Sequence, residues 1–318
     1  MLRRPRAFSV GIAKLRFSIV GISLAIALAI TLTPGSQARA QGSVLERGKY
    51  LLHAGGCIGC HTDKAILKAK GPILGGGRAL KTAFGTFYGP NITLHPVHGI
   101  GRWTERQFRR ALRHGRAPSG YNYYPAFPYT SFTQMSDRDI GALWSYLRTL
   151  KPVDRPNRRH ALKFPYNIRF LVTFWKWLNF RRGRFRPAPA KSKAWNRGAY
   201  LVNALGHCGE CHTPRNALGG LRRRLAMSGS SGGPAGDTPN ITPDKDTGIG
   251  GWSADDIVSA LKLGILPDGD FIGGEMTEVV EHGTSQLTDF DLKAIAAYLA
   301  SLPAVRSKPR NKKAAGDE

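Results

Sequence analysis

The sequence predicts an all-α fold of two similar domains in tandem, joined by a basic, aromatic-rich connector. Three observations carry that expectation. First, short segments recur at a spacing of 149 to 152 residues. Arg47-Gly48-Lys49-Tyr50-Leu51 returns as Arg197-Gly198-Ala199-Tyr200-Leu201, and Pro90-Asn91-Ile92-Thr93 as Pro239-Asn240-Ile241-Thr242. Gly99-Ile100-Gly101-Arg102-Trp103 returns as Gly248-Ile249-Gly250-Gly251-Trp252, and Ser136-Asp137-Arg138-Asp139-Ile140 as Thr288-Asp289-Phe290-Asp291-Leu292. A period this long marks repeated domains rather than a solenoid. Second, the repeated segments read as capped helices, with no strong strand pair between them. Third, all four cysteines fall into two copies of one five-residue pattern.

The elements follow in order. Residues 1–18 hold Arg3, Arg4, Arg6, Lys14 and Arg16 and no acid. An apolar run from Ile19 to Leu32 follows, then Ala38-Arg39-Ala40. Basic start, apolar middle and A-x-A site make 1–40 an export signal. The apolar run is shorter than the ~20 residues of a spanning helix. Removing it, with six basic residues and no acid, takes the formal charge from +26 to +20 and leaves 278 residues. That length suits two domains, expected at 44–154 and 194–303, with a disordered basic tail at 304–318. Helices are expected at Arg47 to Leu52, from the Thr104 N-cap to Leu112, and from Ser136 onward. The last carries an Ile140, Leu143, Trp144, Leu147 face, with Asp139 in the capping-box position. Ser253 to Leu263 and Thr288 to Leu302 repeat them. Segments 71–90 and 228–240 read as Gly- and Pro-rich loops.

The five-residue pattern is Cys57-Ile58-Gly59-Cys60-His61 and again Cys208-Gly209-Glu210-Cys211-His212. Cys-x-x-Cys-His is the attachment signature of haem c: two thiols one turn apart form thioethers, and the adjacent imidazole reaches the iron. A single Cys-x-x-Cys also suits a zinc half-site or a redox dithiol. Neither alternative accounts for two copies each followed at once by His. Two covalently bound haem c groups are therefore expected, with His61 and His212 as proximal ligands. For the sixth ligand, Met135 and Met276 stand in loops before the last helix of each repeat. Their rivals are His114, His160 and His282. Met227 lies in a Ser/Gly loop with no evident counterpart. Pro72 is a candidate to accept a hydrogen bond from His61, and Pro214 one from His212.

The connector, 155–193, has twelve Lys or Arg, no acid, and the aromatic cluster Phe170, Phe174, Trp175, Trp177 and Phe180. Two readings suit it. Its rings pack across the domains, or it forms a surface for a partner subunit or an anionic membrane. Charge alone also suits nucleic acid, which export and haem exclude.

Segments such as RGKYLLHAGGCIGCHT, YYPAFPYTSFTQMSDRDI, RGAYLVNALGHCGECHTPRN and TPNITPDKDTGIGGW resemble the dihaem cytochrome c family. That family includes the cytochrome subunits of membrane-associated alcohol and gluconate dehydrogenases. The resemblance covers most of 44–303. It implies tandem cytochrome c domains, with Met135 and Met276 as distal ligands. It also implies electron transfer from a dehydrogenase subunit toward quinone, a carrier or a terminal oxidase, while the export signal points to the periplasm or its membrane surface. The dehydrogenase subunits of the family carry a third haem domain, which is not read here. Rival readings are a dihaem peroxidase, a thiosulfate-oxidising cytochrome, and a cytochrome subunit of a terminal oxidase.

Overall fold

In the computed structural model, residues 34–233 and 236–307 are described, and the chain divides into two compact units, Met1–Gln41 and Gly42–Glu318. Of the first unit only the backbone from residue 34 is described, as the start of a helix. The apolar run of the expected export signal lies outside the described residues, as does the end of the tail. Among the described residues no helix is long and apolar enough to cross a membrane.

The first repeat begins with α1, Pro34–Ala54, which runs into α2, Cys57–His61, and α3, Lys64–Lys68. Strands β1, Ala79–Thr82, and β2, Gly85–Tyr88, follow, then α4, Glu105–His114, α5, Tyr129–Phe132, and α6, Asp137–Leu147. The connector contributes β3, Ala161–Leu162, and α7, Leu171–Asn179. The second repeat is α8, Lys193–Tyr200, extended by a wide turn over Leu201–Leu205, then α9, Gly209–His212. Strands β4, Ser230–Gly233, and β5, Gly236–Thr238, precede α10, Ala254–Leu263, α11, Glu275–His282, and α12, Asp289–Ala300.

The strands correct the all-α expectation. Segments 71–90 and 228–240 are not plain loops. β1 and β2 pair antiparallel, with Ala79 opposite Tyr88, and β3 of the connector adds to β2. β4 pairs with β5. These strands are two to four residues long and, in the second repeat, mostly Gly and Ser. They have no apolar alternation to betray them.

The helices begin where their caps predict. Thr104 and Gln107 form a reciprocal capping box on α4, as Ser253 and Asp256 do on α10. Gly115 and Gly264 end these helices in the left-handed conformation. The predicted α6 face is buried: Ile140, Leu143, Trp144 and Leu147. The first helix of each repeat crosses the last at a glycine. A Cβ on Gly48 would stand 2.2 Å from the Ala142 carbonyl oxygen, and one on Gly198 1.9 Å from that of Ala294. Only a hydrogen fits between these backbones, which is why Gly recurs there.

Asp139 departs from the capping-box expectation. Ser136 does cap α6, accepting from the Asp139 amide at 3.1 Å, but the carboxylate turns elsewhere. Its Oδ1 accepts from Arg47 Nε at 2.6 Å, and its Oδ2 from the Tyr200 hydroxyl of the other repeat at 2.6 Å. Asp291 is matched: Arg197 donates to it at 2.8 and 2.6 Å, and Tyr50 of the other repeat at 2.5 Å. Each repeat thus supplies an Arg–Asp pair that the other completes with a tyrosine. Burial would raise the Asp291 carboxyl, but Arg197 and Tyr50 outweigh it and hold it below the usual carboxylate range.

The start of the basic tail is also anchored. The Val305 carbonyl accepts from Asn240 Nδ2 at 2.7 Å, as the Val153 carbonyl accepts from Asn91 Nδ2 at 2.8 Å. The repeat therefore continues past residue 303, and only 308–318 lie outside the description.

Candidate functional site

Each Cys-x-x-Cys-His segment is a single helical turn. α2 begins after Gly56, whose φ of 61° lets α1 stop and the chain turn into the motif. One turn brings Cys57 near Cys60, and Cys208 near Cys211. All four thiols are free. Burial pushes Cys57 and Cys208 up to about 12 and Cys211 up to about 11. Cys60 is raised by burial too, with the Arg78 guanidinium working against the rise.

The histidines share one support. His61 Nδ1 lies 2.8 Å from the Pro90 carbonyl oxygen, and His212 Nδ1 2.9 Å from that of Pro239. A carbonyl only accepts, so Nδ1 carries the proton and Nε2 keeps its lone pair. Burial lowers both imidazole pKa values, which keeps the rings neutral, with the carbonyl bonds pulling the other way. These partners replace Pro72 and Pro214. The loop that opens with Pro-Asn-Ile-Thr closes back over the histidine, whereas Pro72 and Pro214, nearer in sequence, do not reach it. In each loop an asparagine side chain holds the turn. Asn91 Oδ1 accepts from the Thr93 amide and hydroxyl, and Asn240 Oδ1 from those of Thr242, at 2.9 and 2.7 Å in each case.

Met227 has a counterpart after all. Its amide donates to Thr213 Oγ1 and its carbonyl accepts from Ile241, as Leu74 bonds Thr62 and Ile92. Both have positive φ, 64° and 66°. Met227 is thus a core position beside the second motif, and its terminal methyl would meet a Cβ on Gly209 at 3.3 Å.

Met135 and Met276 occupy different places. Met135 is buried directly before the Ser136 cap, and its repeat equivalent, Leu287, is buried directly before the Thr288 cap. Met276 is half-buried in the first turn of α11. The Tyr123 amide bonds the Gly115 carbonyl as the Ile272 amide bonds that of Gly264. Counting on from these bonds, the residue matching Met276 is Phe127. Of the rival histidines, His160 Nδ1 already accepts from the Tyr88 amide at 3.1 Å.

The two motifs meet. A Cβ on Gly56 would lie 3.8 Å from His207 Nε2, and the His207 ring hydrogen-bonds the Gly55 backbone. Phe132 packs edge-on against His207 at 5.5 Å. Glu210, inside the second motif, is held by Arg215 at 2.7 Å and by Thr130 of the first repeat. Glu275 and Glu278 of α11 pair with Lys64 and Arg78 of the first repeat. Sequence reasoning missed Arg78 and His207, since neither belongs to a repeated segment.

The donor set fits a covalently held haem. Each site offers two half-buried thiols one turn apart and a neutral imidazole with Nε2 available. Beside the first site is a buried guanidinium, Arg78, whose Nε has no hydrogen-bond partner. An anionic group such as a propionate suits that atom.

Comparison with known proteins agrees with this chemistry. Residues 45–151 match the family model described as Cytochrome c. A protein named diheme cytochrome c-type from Cereibacter sphaeroides is 45% identical over 268 residues, covering 81% of this chain and 86% of its own length. The fructose dehydrogenase cytochrome subunit of Gluconobacter japonicus is 39% identical, covering 86% of this chain and 55% of that protein. The gluconate 2-dehydrogenase cytochrome c subunit of Pantoea cypripedii is 38% identical, covering 84% and 61% respectively. The chain thus spans between half and two thirds of these dehydrogenase subunits.

Proposed function

Because this chain belongs to the dihaem cytochrome c family, we propose that it carries two haem c groups and relays electrons from a dehydrogenase partner. The acceptor is quinone, a smaller carrier or a terminal oxidase, and the setting is the periplasm. Two tandem cytochrome c domains, 44–154 and 194–303 with its extension to Val305, joined by the connector 155–193, carry this function in the mature chain after removal of 1–40.

Cys57, Cys60 and His61 hold one group, and Cys208, Cys211 and His212 the other. When bound, each haem supplies a one-electron iron couple. The chain's own residues do the rest. The thiols tether the ring as thioethers. The Pro90 and Pro239 carbonyls fix each imidazole tautomer and raise its basicity. Met276 is proposed to help His212 hold the second group, and Met135, the single methionine of the first repeat, to help His61 hold the first. The dehydrogenase partner is proposed from the names of the relatives.

The observation that carries the reading is the abutment of the two motifs through Gly55, Gly56 and His207. Two independent binding sites have no need to touch; a relay does. Mass spectrometry and acid-acetone extraction of the exported protein test it. Two haems should remain on the chain, with C57S/C60S and C208S/C211S each removing one. One haem or none on the parent would sink the proposal.

A further inference from the structure

Helix α7 turns a mixed face inward. Val172 is its buried residue, Lys176 Nζ donates to the His114 carbonyl and, at 2.8 Å, to Asn122 Oδ1, and the exposed Thr173 accepts through Oγ1 from Asn122 at 3.0 Å. Trp175 also turns inward, donating to the Leu218 carbonyl at 2.8 Å. The outward stripe is apolar. Phe170 is 68% exposed, Leu171 41%, Phe174 53%, Trp177 82% and Leu178 59%. These five share one face at helical spacing. Large apolar side chains so exposed mark a contact surface.

Beside the stripe is a cleft of about 680 Å³. His114, Arg116, Arg169, Lys176 and Arg182 line it together with Phe170 and Trp177, and among the described residues no carboxylate does. Buried His114 Nδ1 has no hydrogen-bond partner. Burial lowers Lys176 to about 8, and Arg182 and Arg116 push it the same way. So many cations without an acid call for an anion.

We propose that α7 lies in the interfacial layer of a bilayer, its aromatic stripe among the upper acyl chains, with the cleft holding the phosphate of an anionic phospholipid. At 1.5 Å per residue the nine-residue helix is ~14 Å long, far short of the ~30 Å hydrocarbon core, so it rests on the surface and does not span it. Tryptophan beside arginines is the side-chain pairing of that layer. An acidic protein would satisfy the cleft, but not five exposed apolar side chains beside it. This inference stands apart from the relay, because no proposed haem ligand is involved.

The test is flotation of the mature holoprotein with phosphatidylcholine vesicles, with and without phosphatidylglycerol. Binding is expected only with phosphatidylglycerol. F174S/W177S should weaken it at least ~tenfold at any salt, since the apolar contact of both rings is lost. R169Q/R182Q should remove the preference for the anionic lipid and flatten the salt dependence. Glycerol phosphate should compete more strongly than chloride of equal ionic strength if the cleft reads phosphate. Competition without vesicle binding would mean a free phosphate site and overturn the membrane assignment. Equal binding of parent and F174S/W177S would overturn it as well, as would vesicle indifference with loss of an acidic protein partner. Haem content and potentials measured on the same samples keep this result separate from that of the relay.

Discussion

At the scale of single residues, the methionines separate ligation from packing. Met135 and its equivalent Leu287 are both buried before a helix cap. Met135→Leu therefore keeps volume and shape, at a cost below ~1.5 kcal/mol. It is expected to remove half of the near-infrared sulfur-to-iron absorption of the oxidised protein while the melting temperature holds. An unchanged band would leave Met135 as core alone. Met276→His is expected to lower one potential and leave the other, because imidazole favours ferric iron more than thioether sulfur does; spectroelectrochemical titration resolves the two couples. The single-turn geometry of each Cys-x-x-Cys-His segment was legible from spacing alone. The proline partners were not, because the choice between Pro72 and Pro90 depends on how a loop of nearly thirty residues folds back, and local sequence holds no such information.

At the scale of elements, helix caps and helix faces were readable, since both are set within four residues of chain. The hairpins were not, because strands this short and glycine-rich take their pairing from the loops around them. The crossing of first and last helix is the most sequence-sensitive contact. Gly48→Val drives a branched side chain into the Ala142 carbonyl and should cost ~1–3 kcal/mol or more, seen as a lower thermal midpoint. Gly59→Ala, with nothing within 4 Å of its Cβ, should stay within ~0.5 kcal/mol. The Asp291 pair at α12 adds a pH dependence. Its folded pKa is depressed, so its contribution is complete above the unfolded value of ~3.9 and is lost as pH falls through the folded one. Asp291→Asn should flatten the acid limb of a stability–pH curve. Parallel acid limbs in chemical denaturation would refute this.

At the scale of the whole molecule, two roughly repeated halves share a junction. The duplication was plain in the sequence; the junction was not, because His207 and Arg78 stand at unrepeated positions whose partners lie in the other half. His207→Ala removes the ring that bonds Gly55 and packs on Phe132. It should slow electron equilibration between the two haems in flash photolysis, with both potentials and haem content kept. Unchanged equilibration would show that the path runs elsewhere. In the connector, Trp175 bonds the Leu218 carbonyl of the second repeat, as the reading of rings packed across the domains expects, while Trp177 stands exposed and is left to the proposed membrane contact.

The reciprocal Arg–Asp–Tyr arrangement has a consequence for ancestry. Asp139 takes its tyrosine from the second half and Asp291 takes its own from the first. An ancestor with one copy of the unit, holding its arginine, aspartate and tyrosine, would have formed both contacts by pairing with itself about a twofold axis. The present chain has the form of such a homodimer with its protomers fused end to end. After fusion the two copies were free to diverge, as Phe127 opposite Met276 and Gly59 opposite Glu210 record. A fragment of residues 44–154 retains Tyr50 and Asp139, so it is expected to self-associate in analytical ultracentrifugation, and Tyr50→Phe to loosen that pairing.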